Sequence, residues 1–149
     1  AYSTETAISR LKMALLCTVT KAGKESEIGN ICLKIDWLYQ DLADELDENS
    51  SDYESKKENY LAEAHNFAMN AYEHLSKARM EEAFPIAGMN ETTLDYLLSY
   101  LGYVKGEYQT AMQYLSGVVS TRGISPRLKD KCLELKELLN QKLHASADQ

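Results

Sequence analysis

The sequence predicts an all-α protein of about six helices joined by short turns, on three observations. Runs that combine alternating polarity with β-branched residues are nearly absent, which removes a sheet. Apolar residues recur three and four apart over most of the chain. The interruptions fall at glycine, proline and capping residues in helix-ending order. With 149 residues, 44% apolar and 26% charged, two prolines and seven glycines, the chain fits a single folded domain able to bury a core.

The first helix is expected over about residues 3–21, with Ala7, Leu11, Ala14, Leu15 and Thr18 on one face and Gly23 as its stop. The second, about 25–46, carries Ile28, Ile31, Cys32, Ile35, Leu38, Tyr39 and Leu42. After the acidic turn "DENSSD", Ser51 with Glu54 reads as a capping box opening a long third helix over about 52–81. Pro85 and Gly88 break the chain and Asn90 caps the fourth helix, about 91–105, which Gly106 ends. The fifth spans about 108–121. Ser125 and Pro126 start the last, which carries Leu128, Cys132, Leu135 and Leu139 and leads into a polar tail, 144–149.

Composition excludes several functions. A net charge of −7 disfavours nucleic acid, whose phosphates need a basic face, and disfavours an anionic membrane surface. No apolar run nears the roughly 18 residues of a membrane span, and no signal peptide opens the chain. The missing initiator Met points to a trimmed or excised piece. Cys17, Cys32 and Cys132 are far apart and sit in apolar periodicity, which reads as free buried thiols in a reducing compartment, hence the cytoplasm. His65 and His74 are nine apart and His144 lies in the tail, spacings that make no metal site. Nucleophile-elbow, zinc-protease and phosphate-loop motifs are missing. The expectation is a non-enzyme without cofactor or metal.

An internal pattern recurs in Ala7-Leu11-Ala14, Ala64-Ala68-Ala71 and Ala111-Leu115-Val118: small residues that let antiparallel helices approach closely. Gly29, Gly102 and Gly117, inside helices, are expected to serve the same close approach at about 1 kcal/mol each against Ala. The segment "YLLSYLGYVKGEYQTAMQYLSGVV" resembles a tetratricopeptide repeat (TPR), with Gly106 and Tyr108 at the turn, then Ala111, Leu115 and Val118. "ICLKIDWLYQDLAD" resembles the first helix of a second repeat and "TETAISRLKMALL" the second helix of another. The separations of 57 and 47 residues depart from the usual TPR period. The resemblance implies a single TPR-like domain over residues 3–143, its hairpins stacked as a short right-handed superhelix.

"AISRLKMALLC", "ICLKIDWLYQDL", "FPIAGMNETTLDYLLSYLGYVKGEYQTAMQYLSGVVS" and "SPRLKDKC" in that order also resemble the C-terminal portion of a bacterial family catalogued as domain of unknown function 2225, over about residues 5–140. That resemblance implies a TPR-like helical region. It also implies an N-terminal zinc-ribbon-like segment, but this chain holds no C-x-x-C pair to match it.

Five of the ten tyrosines lie between positions 96 and 114. In a TPR-like hairpin the first helix lines the concave side. Trp37, Tyr96, Tyr100 and Tyr103 are therefore candidate anchors for a protein or peptide partner, with Gln40, Asn30 and Thr93 to orient it. The opposed reading is that these rings fill space between helices; Tyr108 and Tyr114 are expected in the core. The acidic run over 41–58 reads as a solvated tip. An alternative role is structural: the first helix lacks a repeat partner, so its apolar face would be covered by a second copy or another chain in an oligomer.

Overall fold

A computed structural model describes residues 3–147. It contains six helices and, among the described residues, no strand: α1 (Thr4–Thr20), α2 (Glu25–Asp44), α3 (Tyr53–Glu81), α4 (Glu91–Lys105), α5 (Tyr108–Val119) and α6 (Pro126–Ala147). The chain divides into two compact units, Ala1–Glu81 and Glu82–Gln149, where the sequence predicts one domain.

In the first unit α2 is central and packs on both α1 and α3. Ile8 of α1, Ile35, Tyr39 and Leu42 of α2 and Ala64 of α3 form one core cluster, with Leu11, Leu15, Tyr60 and Phe67 against it. The buried stripe of α1 thus centres on Ile8, while Ala14, expected inside, is exposed. Farther along, α3 buries Ala64, Ala68, Ala71 and Ala78 around Leu75. Small residues at three and four apart bring α2 close. At Gly29 a Cβ would stand 2.7 Å from Leu75 Cγ and 3.1 Å from the Leu75 nitrogen, so this glycine serves close approach. His74 of α3 pairs with Glu25 of α2 across the same contact.

Local chemistry explains the helix ends. Ser3 caps α1, its hydroxyl accepting from the Thr6 N–H. After α1 the left-handed residue is Ala22 (φ 53°), not Gly23. Gly23 is needed instead for space, since a Cβ there would fall 2.4 Å from Thr18 Cγ2. The α3 start falls one residue later than the predicted box: the Asp52 carbonyl accepts from Lys56 N–H, and the Asp52 carboxylate pairs with Lys56 at 3.1 Å. Charge at the helix start favours aspartate there.

The second unit opens with a tight turn. Ile86 and Met89 exchange both backbone hydrogen bonds, 3.0 and 2.9 Å, around Ala87 (φ 51°) and Gly88 (φ 75°), the two positive φ values that a type I′ turn requires. Asn90 Oδ1 accepts from Thr93 N–H at 2.8 Å and caps α4. Gly106 (φ 95°) ends it, with Glu107 N–H reaching back to the Gly102 carbonyl at 2.9 Å, a Schellman closure. α5 packs between the other two, on α4 and on α6. Its Ala111, Leu115 and Val118 meet Cys132, Leu135 and Leu139 of α6. Buried Ser99 of α4 donates to the Ala111 carbonyl at 2.7 Å and ties α4 to α5. Ser125 Oγ accepts from Leu128 N–H, the expected cap. α6 continues to Ala147 and takes in most of the predicted tail; residues 148 and 149 lie outside the described residues.

Two expectations are corrected. A Cβ at Gly117 would meet nothing within 4 Å, so this glycine fits no neighbour. Cys17 is exposed, while Cys32 and Cys132 are buried. Burial pushes the Cys32 thiol up to about 11 and raises that of Cys132, so both stay protonated and unreactive near neutral pH.

Candidate functional site

The predicted anchors divide between the units: Asn30, Trp37 and Gln40 lie on α2, and Thr93, Tyr96, Tyr100 and Tyr103 lie on α4. On α2, Cys32, Leu33, Ile35, Asp36 and Tyr39 are buried, which turns Trp37 outward with 51% of its surface exposed. Lys34 and Asp41 are exposed beside it and Asn30 is half-buried. Leu33, four positions before Trp37, faces inward and is buried.

Gln40 does not stand free to greet a ligand, because its amide donates to Asp36 Oδ1 at 2.9 Å. Asp36 is a buried carboxylate that the sequence reading passes over, one position from Trp37. Burial pushes its carboxyl above the usual range, and the Gln40 hydrogen bond and nearby His65 pull it back. The folded state then binds this proton more tightly than the unfolded chain. Its contribution is fully present below the unfolded value of 3.8 and is lost as pH rises through the raised folded value. Asp36→Asn keeps an acceptor for Gln40 without charge. It is expected to leave the protein at least as stable as the parent at pH 7 and to flatten the slope of stability between pH 4 and neutrality, read by urea titration across pH.

On α4, Tyr96, Tyr100 and Tyr103, spaced four and three apart, do not share one environment. Tyr96 and Tyr103 are seven apart and point almost the same way; both pack against the α5–α6 core. The Tyr103 ring lies 6.0 Å from that of Tyr108 at 50°, within the range for attractive ring pairs. Burial raises the Tyr96 hydroxyl above its ordinary value. Tyr100, turned about 40° from that line, is 43% exposed. Thr93 has an exposed side chain, while its backbone N–H completes the Asn90 cap. Tyr108 joins the core cluster, half-buried.

Two hollows were not foreseen. In the first unit, Glu5, Ile8, Ser9, Lys12, Tyr39, Leu42 and Tyr60 line an open groove of about 250 Å³. There the Lys12 ammonium donates to the Tyr39 hydroxyl at 2.6 Å and rides 5.1 Å from that ring's centre, which occupies it within the fold. In the second unit, Met112, Leu115, Ser116, Val119, Ser120 and Lys136 surround about 190 Å³ between α5 and α6. The sequence signal was faint: Lys12 stands four residues from Ile8 on one helix face, and only packing brings Tyr39 and Tyr60 beside it.

Among the described residues no group of three or more His, Cys, Asp or Glu lies together to hold a metal ion, so a zinc-ribbon ligand set does not fit them. No described helix is long and apolar enough to cross a membrane. No match was found among the curated proteins or among the solved structures. One family model, described as an uncharacterized protein conserved in bacteria (DUF2225), matches residues 1–139. With nearly the whole chain inside that match, the protein belongs to the DUF2225 family.

Proposed function

We propose that the chain is a non-enzymatic, TPR-like protein- or peptide-binding module that works in the cytoplasm. The observation that carries this reading is Trp37, a large ring held half out of the protein by the buried opposite side of its helix. Tryptophan and tyrosine presented on rigid helices supply contact area at little entropic cost. Tyr100 offers the same on α4, with the shielded rings of Tyr96 and Tyr103 as its base. On α2, Asn30 and Gln40 stand seven and three positions from Trp37, Gln40 steadied by Asp36; on α4, Thr93 stands seven positions from Tyr100. The TPR-like part is the α4–Gly106–α5 hairpin, where Ala111, Leu115 and Val118 seat the second helix. The net charge of −7 favours partners with basic segments over nucleic acid or anionic lipid.

The test starts from peptides selected from a displayed random library on the intact chain. Their affinity is then measured by anisotropy of a labelled peptide. Trp37→Ala is expected to weaken selected peptides about tenfold or more, roughly 1.4 kcal/mol, with the melting temperature unchanged. Tyr100→Ala should act in the same direction for peptides that engage α4. Affinities unmoved by either change would discard these anchors.

A further inference from the structure

The stripe of α2 that carries Trp37 changes charge along its length. At about 100° per residue, Lys34, Asp41 and Asp44 all fall within about 60° of Trp37. Lys34 stands one turn before the ring, Asp41 one turn after it and Asp44 two turns after it, and all three are exposed. Asp41 and Asp44 lie in the last turn of α2, which holds no basic residue. Helix carbonyls end negative there, so carboxylates at this end raise the local energy of the fold. The following residues deepen the negative field: positions 36–58 hold nine Asp or Glu against Lys56 and Lys57. Those lysines are directed elsewhere, Lys56 to the Asp52 carboxylate at 3.1 Å and Lys57 to the Tyr53 hydroxyl at 3.2 Å. Trp37 itself stands half out of the protein, and tryptophan is the side chain whose ring attracts a cation best.

We infer that the partner segment bound at Trp37 presents an arginine, its guanidinium laid on the indole and its outer N–H groups turned toward Asp41 and Asp44. This rests on the peptide-binding reading of Trp37 and adds the chemical class of the ligand. Arginine fits both parts of the face. Its planar guanidinium stacks on an aromatic ring and forks onto a carboxylate, whereas the lysine ammonium is a compact, strongly hydrated point charge. Residues four apart on a helix have Cβ atoms about 6 Å apart, a span that one guanidinium and the flexible Asp41 side chain bridge together. The stripe also sets a direction. Lys34 repels a cation on the N-terminal side of the ring, so the arginine points toward the turn after α2, and acidic or neutral partner residues lie toward Lys34. Single exposed ion pairs contribute little. Selectivity comes from the ring, two carboxylates and the helix end acting on one group.

The experiment uses the 149-residue chain and peptides selected on it from a displayed random library. Each peptide is resynthesised with citrulline, the neutral counterpart of arginine, in place of arginine. Binding is read by anisotropy of the labelled peptide and by the emission of Trp37, the sole tryptophan. Selected peptides are expected to be rich in arginine. Citrulline should weaken them about tenfold or more on the parent chain and less than about twofold on Asp41→Asn/Asp44→Asn. That variant should itself bind the arginine form about tenfold less well and melt at or slightly above the parent temperature, since it relieves repulsion at the helix end. Lys34→Glu is expected to tighten the arginine form about twofold. Peptides that need Trp37 yet tolerate citrulline overturn the arginine inference and leave the binding reading intact. Peptides that citrulline weakens equally on the parent and on the Asp41/Asp44 variant overturn it too, because the two carboxylates then play no part. A selection in which no peptide depends on Trp37 removes both readings.

Discussion

Gly29→Ala is expected to destabilise the first unit by about 2 kcal/mol, although alanine is the better helix former. A methyl group at this position would enter 2.7 Å from Leu75 Cγ, 3.0 Å from its Cδ2 and 3.1 Å from its backbone nitrogen. Leu75 is fully buried, and its backbone belongs to a 29-residue helix, so neither can yield alone. Overpacking of this kind costs about 1–3 kcal/mol, and the gain of roughly 1 kcal/mol in helix propensity offsets part of the upper end. Gly117→Ala is the matched control. With open space around it, it should gain about 0.5–1 kcal/mol. Trp37 is the sole tryptophan and lies in the first unit, so its emission during urea unfolding reports Gly29→Ala, while circular dichroism reports the whole chain. Equal and stabilising effects at both glycines would mean that α2 and α3 are farther apart than described.

The second large effect belongs to Tyr103. Tyr103→Ala removes a ring packed on the α5–α6 core and its pairing with Tyr108. A loss of about 2–3 kcal/mol is expected, below the range for a fully buried aromatic because the ring is only half-buried. Tyr96→Ala should cost about 2 kcal/mol for the same reason, whereas Tyr100→Ala should stay within about 0.5 kcal/mol. Thermal melts of the three variants give the order. Tyr100→Ala as costly as Tyr103→Ala would place all three rings in the core and leave α4 without an exposed anchor.

These two cases mark where pattern reading succeeds and where it stops. The α4 boundaries were legible because Asn90 and Gly106 act locally: one side chain reaches three residues ahead, and one backbone takes a positive φ. The same holds for Ser125 and Pro126. The Ala64-Ala68-Ala71 pattern also read true, since periodicity of small residues survives any detail of the partner. The start of α3 slipped by a residue because Ser51 and Asp52 are both good caps, and the charge interaction with Lys56 decides between them.

The candidate site was legible only as a set of residue types. Spacing put Tyr96, Tyr100 and Tyr103 on one stripe, yet 40° of rotation separates a shielded ring from an exposed one. The direction of solvent comes from α5 and α6, which lie later in the chain. Gly29 and Gly117 look alike as sequence, and only the neighbouring helix distinguishes a required glycine from a dispensable one. Asp36 escaped notice because a carboxylate amid apolar residues is expected outside, until α3 closes over it.

By itself the sequence determined the helices, the caps at Asn90, Gly106 and Ser125 and the Ala64–Ala68–Ala71 face, because these depend on side chains within a turn or two of one another. Tertiary structure alone decided the division into two units, the exposure of Trp37, Tyr100 and Cys17, and the fit at Gly29. Each of these depends on which helix lies across a given surface, a relation between residues distant along the chain that no local period encodes.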